Sequence, residues 1–306
     1  MIARADSGTA LPFAPRPAAA TPHLDVPAFD TPVFPHHADA IPPGTIDAGS
    51  YQLRFAWNRQ DLHAVQALRY RVFNLELGEG LTGCTESGRD EDERDPWFHH
   101  LMICHRESGA VVGTYRLQTA VMAATRFGFY SATLFELGAI PARILDGAVE
   151  IGRACVDPAH RSGRVLRLLW KGLARYLQWN SKRFLFGCCS LNGTAPAIAS
   201  DAWRLLHARA AMHPEILVKP RPTVSALADD GRHRPVVATE CGHGELAPSE
   251  LQSSANVLPP LFDGYLSLGA RVCGAPATDF EFGTTDFLVL LDVLELDART
   301  YQSLFG

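Results

Sequence analysis

An α+β fold around a mixed sheet is what two features of this 306-residue chain predict. Strand-like segments at His100–His105 and Val111–Gln118, joined by a Glu107-Ser108-Gly109 turn, read as an antiparallel hairpin. Further on, Val149–Val156 leads through Asp157-Pro158 into an amphipathic helix and then into Phe184–Ser190. That β-α-β order calls for a parallel pair, so the sheet is mixed. With 47% hydrophobic residues the chain can bury one large core or two ordinary ones.

The elements follow in order. Residues 1–49 hold nine of the 21 prolines and little apolar periodicity, so a disordered Pro/Ala-rich tail is expected there. Order is expected from Tyr51–Trp57, where apolar and polar residues alternate as in a half-buried strand. Asn58 can cap the next helix, whose apolar positions Leu62, Val65, Leu68, Val72 and Leu75 recur at helical spacing. A Gly- and acid-rich loop, Gly78–Pro96, precedes the hairpin. After the β-α-β segment, Ala195–Ala211 reads as a helix and 214–257 as a long Pro/Gly/polar connection. A helix near Leu258–Leu268, a strand at Asp286–Val293 and a short helix after Asp297 complete a single 50–306 domain, with a core at 51–212 and a C-terminal part at 258–306.

Bulk properties narrow the function. A net charge of -5 supplies no basic field for nucleic acid. Seven cysteines, an odd number without a CxxC pair, suggest reduced thiols in a cytoplasmic protein. No apolar run is long enough for a membrane span, and no signal peptide is visible.

Three clusters could carry chemistry. Arg164, Arg167, Lys171 and Arg175 are spaced three, four and four, which gives one helical stripe, and residues 158–200 contain seven Lys/Arg and no Asp or Glu. Arginines at a helix N-terminus oppose the macrodipole unless something anionic binds there. A phosphopantetheine phosphate, an acidic carrier protein or an anionic membrane would serve. The second cluster is Glu86, Asp90, Glu91, Asp92, Glu93 and Asp95. Its last members lie against Trp97 and Phe98, where a carboxylate could grip an ammonium group. The histidines are not spaced for zinc, so no metal site is expected. The third cluster is Glu150 and Arg153, which strand alternation puts on opposite faces unless a bulge intervenes at Gly152. A buried Glu150 could act as general base, or could pair with Arg69, Arg71 or Arg116. Cys155 has no histidine and acid to activate it.

Taken together, Arg69-Tyr70-Arg71-Val72-Phe73, the Asp90–Asp95 run, Gly113-Thr114-Tyr115-Arg116, Gly128-Phe129-Tyr130-Ser131 and Glu150-Ile151-Gly152-Arg153 resemble bacterial ornithine-lipid N-acyltransferases. Trp170-Lys171-Gly172, Leu185–Cys188, Leu258–Leu261, Gly269–Cys273 and Phe282–Asp286 extend the resemblance over about residues 52–303. These are haemolysin-like members of the GNAT superfamily, related to acyl-homoserine-lactone synthases. The resemblance implies a GNAT-like fold, a mixed sheet flanked by helices and completed by a C-terminal extension. It implies transfer of a (3-hydroxy)acyl chain from acyl carrier protein to the α-amino group of ornithine, with the acyl-phosphopantetheine thioester as co-substrate and no bound cofactor. Glu150, Arg153, Asp92, Asp95 and Arg116 carry over as the active-site network. Arg69, Arg71 and Phe73 belong to the acceptor pocket or its support. Val156, Arg161, Gly163, Arg164, Arg167 and Lys171 are expected on the donor side. Acetyl-CoA-dependent relatives have glycines where this chain has Arg164 and Leu166, so a carrier-borne donor is favoured over coenzyme A. The lipidic product makes peripheral contact with the inner membrane a further expectation.

Overall fold

The computed structural model describes residues 33–81, 83–227 and 258–306. Its strands are β1 (Ile46–Ala48), β2 (Tyr51–Phe55), β3 (His99–His105), β4 (Val111–Thr119), β5 (Ala148–Val156), β6 (Phe184–Asn192), β7 (Arg271–Val272), β8 (Ala277–Asp279) and β9 (Thr284–Asp292). They form one sheet in the order β1-β2-β3-β4-β5-β6-β9-β7, with β8 also paired to β9. Every pairing is antiparallel except β5 with β6. The mixed sheet is as expected, and the C-terminal strands complete it.

Helix α1 (Arg59–Arg69) begins where the Asn58 side chain accepts the Asp61 amide at 2.9 Å, satisfying one orphan N–H. From Tyr70 to Leu77 the chain continues as a π-helix. The wider turn displaces the apolar period, so Leu75, expected on the buried face, is 66% exposed. Short helices α2 (Ala120–Thr125), α3 (Ser131–Leu134) and α4 (Ala142–Asp146) lie between β4 and β5. Then come α5 (Gly163–Trp179), α6 (Pro196–Ala208), α7 (Pro260–Ser267) and α8 (Ala298–Phe305).

The sheet has a core on each face. Val165, Leu169, Leu173 and Leu177 of α5 cluster with Leu53, Leu101, Leu117 and Val149. Each such fully buried side chain contributes roughly 1.5–3 kcal/mol. Gly172 lets α5 approach closely, since a Cβ there would lie 2.6 Å from Leu101. On the other face Val65, Leu68 and Val72 meet Met102, Val111 and Cys155.

Order begins earlier than the sequence suggests. Residues 33–49, assigned to the tail, bury Ile41 and supply β1, which pairs with β2. Residues 1–32 lie outside the described part. The connection after residue 213 starts as packed chain too, with Ile216 and Val218 buried and Ser225 bridged to Ala277. Residues 228–257 of that connection also lie outside the described part.

Candidate active site

The parallel pairing of β5 with β6 is brief. It spans Ala148–Glu150 against Phe184–Phe186, although the two strands run on to Val156 and Asn192. Gly187 sits at the branch point, where a Cβ would lie 2.1 Å from the Ile151 carbonyl oxygen. Beyond it the β5 edge facing β6 has no strand partner among the described residues. The result is a fork in the middle of the sheet.

A bulge sets what faces that fork. Arg116 pairs with Gly152, but Thr114 pairs with Cys155, so β5 carries one extra residue. Arg153 takes a left-handed conformation, φ 46°, at a cost of about 1–3 kcal/mol. The extra residue turns Arg153 to the same face as Glu150, the side on which α1 packs.

Arg153 then joins a ladder of alternating charge. Arg116 bonds Asp92, and also Asp95 at 2.9 Å; Asp95 bonds Arg69 at 2.7 Å; Arg69 bonds Asp90 at 2.7 Å; Asp90 bonds Arg153. Burial raises the pKa of both Asp95 and Asp90, yet both lie below the usual carboxylate range. Arg69 and Arg116 outweigh burial at Asp95, and Arg153 and Arg69 do so at Asp90. Gln66 and the Asp92 amide also bond Asp95, and the Arg94 and Asp95 amides bond Asp92. Asp92 and Asp95, expected to grip a substrate ammonium, are thus engaged within the chain by arginines, amides and Gln66. Phe73 and Phe282 face the Arg153 guanidinium at 4.2 and 4.3 Å from their ring centres. Arg71 instead braces the turn after β5, reaching Asp157 at 3.4 Å.

Glu150 makes no ion pair among the described residues. Its two oxygens accept the Ser131 amide at 2.7 Å and the Tyr130 amide at 2.8 Å, at the start of α3. With its amide nitrogen turned inward, Gln118 adds a bond at 3.1 Å. Burial still dominates, and the Glu150 pKa is raised. Cys155 is a poor nucleophile, its thiol pushed up to about 12 by burial.

On the donor side, Arg161 forms a two-pronged pair with Glu76, both contacts at 2.6 Å, and bonds the Val156 carbonyl at 3.2 Å. It holds the turn to the π-helix and does not face the basic stripe. Arg164, Arg167 and Lys171 line a groove of about 370 Å³ with Ala48, Gly49 and Leu168. Arg175, the stripe's fourth member, bonds the Pro43 carbonyl. Ser162 gives α5 no side-chain cap, so the first-turn amides at Gly163 and Arg164 stay open to an anion.

One set of groups was not visible in the sequence pattern. Asp279 accepts the Tyr130 hydroxyl and the Glu281 and Phe282 amides. Asp286, directly across from Ser190 on β6, accepts the Thr284 hydroxyl at 2.8 Å. Both aspartates are 2% exposed. Burial, then Asp279, pushes the Asp286 carboxyl up to about 7. The one available signal was the Phe282–Asp286 segment, since a strand running Thr-Thr-Asp into apolar residues has no structural need of that carboxylate. Among the described residues no group of three or more His, Cys, Asp or Glu is placed to hold a metal.

A family model described as acetyltransferase (GNAT) domain matches residues 68–171. The L-ornithine N(alpha)-acyltransferase of Brucella abortus (strain 2308) is 32% identical over 286 residues, 90% of this chain and 94% of its own. That of Agrobacterium fabrum (strain C58 / ATCC 33970) is 32% identical over 269 residues, covering 84% and 86%. The chain belongs to the L-ornithine N(alpha)-acyltransferase family. It is an acyltransferase with a GNAT-like fold. The N-acyl amino acid synthase FeeM, from uncultured soil microbes, shares 12% identity over 84% of this chain and 98% of its own, with a TM-score of 0.45. At that score the likeness carries no functional argument. No helix of this acyltransferase, among the described residues, is long and apolar enough to cross a membrane.

Proposed function

We propose that this acyltransferase moves a 3-hydroxyacyl chain from acyl carrier protein onto the α-amino group of ornithine, yielding a lyso-ornithine lipid. The observation that carries the reading is the β5–β6 fork with buried Glu150 at its apex, in a chain whose relatives are named for acylating ornithine at Nα. The thioester arm lies along the free edge of β5, its phosphate near Gly163, Arg164 and the open amides of α5. The groove of Arg164, Arg167 and Lys171 meets the acidic carrier.

The neutral α-amine attacks the thioester carbonyl directly. A C–N bond forms, the C–S bond breaks, and the departing thiolate takes up a proton. Glu150 accepts the ammonium proton, directly or through water, while its amide bonds keep it aimed at the fork. Arg116 and Arg153 form the wall behind it and stay paired throughout. The acylated product is a lipid and passes to a membrane surface.

Side chains at Arg164 and Leu166 crowd a coenzyme A pyrophosphate, which supports the carrier-borne donor. The test is to offer a 3-hydroxyacyl group on acyl carrier protein and on coenzyme A with ornithine, lysine, glycine and glutamine, and to weigh the products. Nα-acylated ornithine from the carrier-borne donor is expected. Product from coenzyme A alone would remove the carrier assignment, and acylation of glycine or glutamine in place of ornithine would remove the acceptor.

A further inference from the structure

Asp286 is a buried carboxylate with no cation to balance it. Its neighbours are the Thr284 and Ser190 hydroxyls, Asp279, and at longer range Glu79, while Cys188 and Tyr130 are the other titratable groups that sense it. No arginine, lysine or histidine pairs with Asp286 or Asp279 among the described residues. A buried carboxylate is ordinarily paired, because taking its charge out of water costs several kcal/mol. Ser190, directly opposite it on β6, is exposed, so the carboxylate sits one residue's depth from solvent.

Its place relative to the fork is informative. Asp286 shares a sheet face with Ser190 and Cys188, and the Cys188 thiol lies 3.6 Å from the Ser131 hydroxyl. The Ser131 amide in turn holds Glu150. From Cys188 to Ser190 is two strand residues, about 6.6 Å. The two nitrogens of an extended 2,5-diaminopentanoic acid are five bonds apart, about 6 Å. An acceptor whose α-amine attacks a thioester beside Cys188 can therefore set its second nitrogen against Asp286.

We infer that Asp286, reached past Ser190 and backed by Asp279, takes the side-chain ammonium of the acceptor and so selects a diamino acid for this reaction. The inference rests on the ornithine reading above and names the residue that enforces it. The bound ammonium supplies the missing positive charge, and Thr284 and Ser190 hold the carboxylate in place.

The test compares ornithine with 2-aminopentanoic acid, the same skeleton without the second nitrogen, using one acyl donor throughout. A charge-assisted hydrogen bond at a buried site predicts that wild-type kcat/KM favours ornithine by roughly 10- to 100-fold. Asp286→Asn is expected to erase that preference, mainly through KM for ornithine. Asp286→Glu keeps part of the preference. Ser190→Lys, at the exposed position directly opposite, brings a competing ammonium to the carboxylate and is expected to raise KM for ornithine by about 10-fold or more. A variant at Asp286 that retains the full wild-type preference overturns the inference, as does an unchanged ornithine KM in Ser190→Lys. A wild-type enzyme that acylates both acceptors equally overturns it while leaving N-acyl transfer intact. One that acylates neither overturns the proposed function itself.

Discussion

Two groups of carboxylates, all buried except the half-buried Asp92, lie on the same face of the sheet and are treated in opposite ways. Asp90, Asp92 and Asp95 are matched one for one by Arg69, Arg116 and Arg153, in a ladder closed within the chain. Asp279 and Asp286 meet only hydroxyls and amides. A matched ladder is framework, because it has no charge to offer a ligand. An unmatched pair has a charge to offer, and its burial makes a fitting cation worth more than one bound at the surface. The acidic loop is the more conspicuous of the two in the sequence, yet the two distant aspartates are better suited to meet a substrate.

Opening the ladder should give the largest effect. Asp95→Ala leaves Arg69 and Arg116, 0% and 3% exposed, without a shared partner. Loss of one member of a buried pair costs about 3–5 kcal/mol, read as a fall in the denaturant midpoint. A loss under about 1 kcal/mol would mean the ladder is not the framework described.

Glu150→Gln tests the residue between the two groups. One of its side-chain atoms must then turn an N–H toward the Tyr130 or Ser131 amide. Turnover is expected to fall by about 10²–10³, with KM for either substrate changed far less. A general base also leaves its mark on the pH profile, so the acidic limb of kcat should disappear in the variant. If that limb survives, Glu150 shapes the 128–131 turn and does not take the proton.

The two carboxylate groups also predict pH dependences of opposite sign. Asp95 and Asp90 have folded pKa values below their unfolded ones, so their stabilisation is present at neutral pH and is lost as pH falls below about 4. Asp286 is raised to about 7, so the folded state holds its proton more tightly than the unfolded chain does. Stability from this group therefore declines as pH rises from about 4 to 7 and is flat beyond. Asp286→Asn should remove that decline and stabilise the ligand-free enzyme at pH 8 by on the order of 1–2 kcal/mol. A variant less stable than wild type at pH 8 would show that the carboxylate is satisfied as it stands.

Much of the scaffold could be read ahead of the structure, and the reasons for the misses are physical. Alternation located β2, the Glu107-Ser108-Gly109 turn between strand-like segments located β3 and β4, and the Asn58 cap and apolar spacing located α1. The Glu150–Arg153 spacing left two arrangements open, opposite faces in a regular strand or one face across a bulge, and only the pairing with β4 decides between them. Which acids are spent could not be read, because Asp95 is neutralised by Arg69, 26 residues upstream, and Arg116, 21 downstream, through pairings that exist only after folding. Asp286 was hidden for the opposite reason, since an aspartate at a strand's start resembles an ordinary solvated end. The strand Ile46–Ala48 was missed because three residues give no period to detect.

The helix α5 extends the same comparison to exposed charge of the other sign. Arg164 and Arg167 are also unmatched by any carboxylate among the described residues, Arg167 donating to the Ser303 hydroxyl instead, but they are solvated, so the missing counter-charge costs little. Their use to a partner should be correspondingly smaller and screened by salt. Arg164→Glu combined with Arg167→Glu is expected to raise KM for the carrier-borne donor about 10-fold at low ionic strength, with folding stability within about 0.5 kcal/mol of wild type. Because the contact is exposed, the difference should shrink as salt rises past about 0.15 M, where the screening length falls to about 8 Å. A salt-independent change would place the two arginines in a desolvated contact, and an unchanged KM would remove the basic groove as the carrier's landing site.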